Sequence, residues 1–174
     1  MIPGQSPQDL VLTPIGLRFM GRLIPCSIGR GGVSGDKREG DGATPAGVLR
    51  ITGALYRPDR LSARRVPPWA RPIRPGDLWS DDSRDPAYNR SVRAPHGFSH
   101  EDLRRADPLY DLVLLTDWNT EPAVPGRGSA IFLHSWRRPG YPTAGCVAFA
   151  RADLLWLAAR IAPGARLIVP RRIS

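Results

Sequence analysis

The stretch Pro142-Thr143-Ala144-Gly145-Cys146-Val147 places a cysteine directly after a glycine and at the mouth of an apolar run. The strongest helix signal of the chain follows at residues 152–161, where Leu, Ala and Ile recur at helical spacing before Pro163-Gly164. Upstream, residues 130–133 form a short apolar run that predicts a buried strand ending at His134. We therefore expect a histidine strand, a cysteine strand and one principal helix in succession.

The rest of the chain predicts short strands joined by turns. Its 18 Gly and 19 Pro are spread over 174 residues, and strands are expected at 10–12 and 17–20 (a hairpin), 23–28, 48–56, 112–115 and 166–169. Residues 58–95 predict an irregular excursion with short strands around Ile73 and Leu78, and Ser99 with two acidic residues predicts a helix over 99–107. The pattern indicates a mainly β domain of the α+β class that spans residues 1–174 as a single domain.

A long Gly-rich loop is predicted over residues 29–47. The loop lacks the Gly-Lys-Ser/Thr ending of a phosphate-binding loop, and no helix signal follows it. We interpret it either as an ordered functional loop or as a surface turn.

The net charge of +9 comes almost entirely from scattered Arg, with Lys37 the only Lys. No helix carries a basic stripe and no nucleic-acid recognition motif is present, so nucleic-acid binding is not expected as the main function. Two cysteines cannot form a disulfide framework, and Cys26 is interpreted as a core residue. No metal-ligand spacing occurs, so neither a metal nor a cofactor is expected.

The N-terminus has no basic and apolar signal-peptide pattern, and no stretch approaches the length of a membrane span. The expected location is the cytoplasm if the chain is full length. It is the periplasm or cell wall if an export signal was removed.

Cys146 and His134 suggest nucleophilic catalysis. A His that accepts the thiol proton makes Cys a strong nucleophile, and a further group must orient the imidazole. Ser135 or a nearby carbonyl could orient it, and the N–H groups of Gly145 and Cys146 could face a developing oxyanion. The alternative is a buried core thiol and a hydrogen-bonded histidine at a strand end.

The residues resemble a known family. His134-Ser135 followed by Thr143-Ala144-Gly145-Cys146-Val147 resembles the signature of the L,D-transpeptidase (YkuD-like) catalytic domain. Residues 36–47 resemble the Gly-rich, Thr-Pro-x-Gly loop and strand of that family, and the two segments occur in the family's order. The resemblance spans roughly residues 10 to 170.

The resemblance implies a mixed β-sandwich or barrel-like fold with His and Cys in a cleft under a lid. It implies that Cys146 is the nucleophile, that His134 is its base, and that the substrate is a peptidoglycan stem tetrapeptide cut between the L-centre of a diamino acid and D-Ala. Residues expected to contact substrate are Arg137, Arg138, Thr143, Tyr88 and Asn89.

The sequence does not decide which molecule accepts the acyl group from Cys146. Water would make the protein an L,D-carboxypeptidase acting on free muropeptide, which suits a cytoplasmic location, whereas an amine would make it a transpeptidase acting on cell wall. Two further hypotheses are a non-catalytic basic module that binds cell wall or another polyanion, and a Cys amidase with a substrate outside the wall.

Overall fold

The fold starts with a hairpin whose turn requires glycine. A computed structural model describes residues 6–172; β1 (Leu10–Thr13) and β2 (Gly16–Phe19) pair antiparallel, and β3 (Arg22–Ile24) continues the meander. Gly16 has φ +138°, and a Cβ there would lie 2.4 Å from the Ile24 carbonyl oxygen. The predicted hairpin is confirmed.

One large sheet dominates the molecule. Its remaining strands are β4 (Cys26–Ser27), β7 (Gly47–Tyr56), β8 (Ala70–Pro72), β12 (Leu112–Thr116), β13 (Phe132–Ser135), β14 (Val147–Phe149) and β15 (Arg166–Val169). The order is β3-β2-β1-β15-β7-β12-β13-β14-β4, with β8 on β7. Because only Pro25 separates β3 from β4, the chain joins the two ends of this order and nearly closes the sheet into a barrel-like form. The mainly β prediction is confirmed.

One α-helix occurs within residues 6–172, and it packs against two interior strands of this sheet. Helix α1 (Arg151–Ala158) packs on β12 and β13 and buries Leu154, Leu157 and Ala158 in the main hydrophobic cluster. It is shorter than the predicted span of 152–161, because the chain turns after Ala158 although Ile161 remains buried. Cys26, predicted as a core residue, is partly buried and packs against the same cluster.

Two small sheets lie outside the large one. Strands β5 (Val33–Ser34) and β6 (Thr44–Pro45) pair parallel inside the Gly-rich loop. Strands β9 (Asp77–Ser80), β10 (Ser91–Arg93) and β11 (His100–Asp102) form a three-stranded sheet with β9 in the centre. The helix predicted over 99–107 is therefore wrong, because residues 100–102 find hydrogen-bonding partners along β9.

Strands β12 and β13 are buried on both faces. Leu112, Leu114 and Leu133 point into the main cluster, whereas Val113 and Phe132 belong to a second cluster beneath the three-stranded sheet. The alternation of side chains along a strand makes the odd and even residues of β13 face opposite cores. No helix within residues 6–172 has the length and apolarity needed to cross a bilayer.

Candidate active site

Cys146 and His134 are brought to one face by the pairing of β13 with β14. The two strands run parallel with Leu133 opposite Val147 and His134 opposite Ala148, so Cys146 comes beside Phe132, and the Phe132 N–H donates to its Sγ at 3.4 Å. Phe132 and His134 point to the same face because they are two residues apart on a strand. The structure thus brings both predicted residues into one cleft of about 470 Å³.

The backbone at Gly145 holds the cysteine in place. Gly145 has φ +146°, and a Cβ there would lie 2.8 Å from the Ala43 carbonyl oxygen and 3.1 Å from Ile131 Cδ1. Thr44 Oγ1 donates to the Gly145 carbonyl at 2.8 Å. The Gly-rich loop therefore docks directly onto the turn that precedes the cysteine, and only glycine fits the contact.

Thr143 bonds across the same turn. Its Oγ1 accepts from the Gly145 N–H at 3.0 Å and donates to the Cys146 carbonyl at 2.7 Å. Its backbone accepts from the Arg30 N–H and donates to the Ile28 carbonyl, both at 2.9 Å. Thr143 lines the cleft and also ties the turn to the Gly-rich loop.

The orientation of the His134 ring follows from one hydrogen bond. Nδ1 lies 2.8 Å from the carbonyl oxygen of Ser135. Because a carbonyl can only accept, Nδ1 carries the proton and Nε2 keeps a lone pair. The Tyr110 ring packs edge-on against the imidazole with centroids 5.3 Å apart.

Ser135 acts on this histidine through its main chain. Its side chain lies on the opposite face of β13, and its Oγ is buried without a hydrogen-bond partner in residues 6–172. Of the two orienting groups that the sequence suggested, the hydroxyl and a carbonyl, the structure places the carbonyl against the ring.

Both groups are neutral in the cleft. Burial, followed by the charge of Glu101, raises the pKa of the Cys146 thiol to about 12, although the Phe132 N–H and Lys37 act in the opposite direction. Burial lowers the pKa of His134 to about 4. The thiol in turn donates to the Ala130 carbonyl at 3.1 Å. A protonated thiol and an unprotonated imidazole therefore line the same cleft near neutral pH.

The cleft contains side chains that the sequence analysis did not select. Glu101 comes from β11, and Tyr110 and Arg105 come from the segment that follows it. The Tyr110 hydroxyl donates to Glu101 Oε2, and the Arg105 guanidinium lies 5.2 Å from the Tyr110 ring centroid. No local signal marks these residues, because only the pairing of β11 with β9 brings Glu101 to the cleft.

The substrate-binding residues predicted from sequence have different placements. Arg137 and Thr143 line the cleft, whereas Arg138 is exposed and stacks on Tyr141 at 5.0 Å without lining it. Tyr88 and Asn89 do not line the cleft, contrary to expectation, because both are buried behind it.

Tyr88 and Asn89 instead support the walls of the cleft. The Tyr88 hydroxyl donates to Glu39 of the Gly-rich loop at 2.5 Å. Asn89 Oδ1 accepts from the Ala130 N–H at 2.9 Å, and the Ala130 carbonyl accepts from the thiol. Asn89 thus fixes the residue that holds the Cys146 proton.

Comparison with known proteins agrees with this geometry. The family model described as YkuD, L,D-transpeptidase catalytic domain, matches residues 16–169, which include the Gly-rich loop and both active-site strands. Searches among curated proteins and among solved structures returned no match.

Proposed function

The chain belongs to the YkuD family of L,D-transpeptidase catalytic domains, and we propose that it cleaves a peptidoglycan stem tetrapeptide through a thioester on Cys146. The bond broken joins the L-centre of a diamino acid to D-Ala. The observation that carries this proposal is the shared cleft, in which the His134 ring is held by a carbonyl at Nδ1 and keeps a lone pair on Nε2.

The acylation step begins with proton transfer. Nε2 of His134 takes the Cys146 proton, and the thiolate attacks the carbonyl carbon of the diamino acid to form a C–S bond. Collapse of the tetrahedral intermediate breaks the C–N bond to D-Ala. The imidazolium returns its proton to the departing amine, so that neutral His134 is restored for the second half-reaction.

The oxyanion needs a backbone donor near the sulfur. The Gly145 N–H already donates to Thr143 Oγ1, so we assign this role to the Cys146 N–H. One such donor is typically worth about 3 kcal/mol in the transition state. Thr143 then supports the reaction by holding the turn that directs this N–H.

Two cleft arginines suit the carboxylates of the stem peptide. Arg30 and Arg137 line the cleft, and neither forms an ion pair with a side chain in the described part of the chain. A guanidinium binds a carboxylate through two parallel hydrogen bonds. We assign them to substrate anchoring, with Arg138 outside the cleft.

The acyl acceptor distinguishes the two reactions that this acyl-enzyme permits. Water yields a tripeptide and makes the protein an L,D-carboxypeptidase on free muropeptide. An amine from a second stem yields a cross-link and makes it a transpeptidase. Both pass through the same thioester, so the acceptor is decided by which nucleophile reaches the cleft.

The test is incubation with free tetrapeptide, with products separated by mass. Release of D-Ala and a transient acyl adduct on Cys146 are expected, and both should vanish in Cys146→Ala. Cys26→Ala is the matched control, because it removes the other thiol and should keep turnover. Salt-sensitive binding to wall fragments without any D-Ala release would instead favour the non-catalytic basic module.

A further inference from the structure

The cleft holds a carboxylate that forms no direct ion pair within residues 6–172. Glu101 lines it together with Cys146 and His134. Its side chain accepts from the Tyr110 hydroxyl, and no Lys or Arg forms an ion pair with it within residues 6–172. Of the two nearest arginines in sequence, Arg104 pairs with Asp59 at 3.3 Å and Arg105 pairs with Asp107 at 2.8 Å. The charge of Arg105 still lowers the pKa of Glu101, without a direct ion pair.

The position of Glu101 is fixed by its strand. On β11 it lies opposite Trp79 of β9, and the Trp79 ring packs edge-on against Phe132 at 4.9 Å. His100 and Asp102, on either side, are exposed, as expected for side chains that alternate along a strand. The fold therefore directs this one carboxylate of β11 inward, towards the thiol.

The groups around Cys146 disfavour ionisation of its thiol. Burial, followed by the negative charge of Glu101, raises the pKa of Cys146. Burial also raises the pKa of Glu101 itself, with smaller contributions from the charges of Asp81 and Glu39, against the Tyr110 hydroxyl and the charge of Arg105, which lower it. A carboxylate near a nucleophilic thiol disfavours the thiolate. A cation from outside the chain would remove that penalty and would also supply the direct ion pair that this partly buried carboxylate does not form within residues 6–172.

We propose that Glu101 binds the side-chain ammonium of the diamino acid in the donor stem peptide, and that this contact favours ionisation of Cys146. The inference rests on the proposed function for the identity of the peptide. The cleft then pairs one carboxylate with the substrate ammonium and two guanidinium groups, Arg30 and Arg137, with substrate carboxylates. Its charge pattern complements a stem peptide that carries both signs.

The contact couples recognition to reactivity. When the substrate ammonium neutralises the charge of Glu101, the free energy needed to ionise the Cys146 thiol falls. A substrate with the ammonium therefore binds more tightly and also reacts faster once bound. A peptide without it loses both effects. Discrimination between donor peptides is therefore expected in binding and in turnover at saturation.

The binding test compares two tetrapeptides that differ in one atom group. The third residue is lysine in one and 2-aminoheptanoic acid in the other, where a methyl group replaces the ammonium. Titration calorimetry on the full chain with Cys146→Ala measures affinity without consumption. We expect the lysine peptide to bind at least about tenfold more tightly, because a charge-assisted hydrogen bond in a partly buried site is worth that much.

Variants then locate the effect. In the Cys146→Ala chain, Glu101→Gln should reduce the preference to less than about twofold, whereas Glu121→Gln, which removes the same charge from an exposed turn, should keep it. Tyr110→Phe removes the hydroxyl partner but leaves the charge, so the preference should survive. It provides a second measurement if Glu101→Gln fails to fold.

Equal affinity of the two peptides, or a preference that persists in folded Glu101→Gln, would overturn the inference. In the turnover arm, with Cys146 intact, wild-type protein should show a higher kcat for the lysine peptide, and Glu101→Gln should equalise the two. Absence of turnover with an intact binding preference would count against the proposed function alone. Turnover without the preference would count against Glu101 alone.

Discussion

Acidification should destabilise this protein through His134. Burial lowers the pKa of His134 from 6.5 to about 4, and the residue is only 6% exposed. The unfolded chain therefore binds a proton below about pH 6.5 that the folded chain accepts only near about pH 4. Stability is fully present above that window and falls as the pH drops through it.

The magnitude follows from the size of the shift. A pKa shift of one unit corresponds to about 1.4 kcal/mol, so the total loss of unfolding free energy is about 3 kcal/mol. About 2.5 kcal/mol of this loss falls between about pH 7.5 and about pH 4.5. The free energy of unfolding of such domains is about 5–15 kcal/mol. The loss is therefore large enough to resolve by urea titration.

The assay compares the wild type with His134→Gln at both pH values. The variant lacks the titrating group, so its loss of unfolding free energy should be smaller by about 2.5 kcal/mol. His100→Gln is the control, because it removes an exposed imidazole and should keep the wild-type loss. Identical pH dependence in the wild type and His134→Gln would refute the reasoning, as would a His134 imidazole signal that titrates near about pH 6.5 by NMR.

Three shorter predictions concern the residues around the thiol. Gly145→Ala should lower the melting temperature more than Gly140→Ala, because both glycines have positive φ but only at Gly145 do other atoms lie within 4 Å of the added Cβ. The extra loss of unfolding free energy is about 1–3 kcal/mol. Equal losses in the two variants would contradict this prediction. Ser135→Ala keeps the carbonyl that holds the imidazole and removes a buried hydroxyl that has no hydrogen-bond partner within residues 6–172. The free energy of unfolding should therefore be unchanged or higher by about 1 kcal/mol, and turnover should persist. A large loss of turnover would show that the hydroxyl orients the His134 ring. The rate of iodoacetamide labelling of Cys146, in a Cys26→Ser background, should rise about tenfold for each pH unit between about pH 7 and about pH 9. The reason is that the pKa of the thiol is about 12. A rate that levels off near about pH 8 would contradict this pKa and show an activated thiol.

The strands around the active site could be predicted because their signals are local. Residues 112–115 and 166–169 are apolar runs of strand length, and the structure has strands at Leu112–Thr116 and Arg166–Val169. Cys146 and His134 were selected because each ends or precedes such a run, and the sequence order of the two motifs matches the family. The parallel pairing of β13 with β14 then brings His134 and Cys146 to one face of the sheet, because few residues separate the two strands along the chain.

The segment around Glu101 could not be predicted in the same way. Ser99 followed by acidic residues is a helix-start pattern. Strand His100–Asp102 instead forms a ladder of hydrogen bonds with Asp77–Ser80, whose residues precede their partners by 20 to 24 positions. Tertiary pairing of this kind overrides local propensity. The placement of Tyr88 behind the cleft likewise depends on its hydrogen bond to Glu39, 49 residues away.

A neutral resting pair has a consequence for how the proposed reaction is driven. The pKa values of about 12 for Cys146 and about 4 for His134 make proton transfer from the thiol to the imidazole unfavourable without a further contribution. The thiol is then a poor target for small electrophiles. If substrate binds as proposed, binding energy from its charged groups favours the thiolate–imidazolium pair. A peptide that reaches Glu101 and the arginines together then gains this effect. Selectivity in such a site arises in the reactive step itself, because only the matched peptide creates the nucleophile that attacks it.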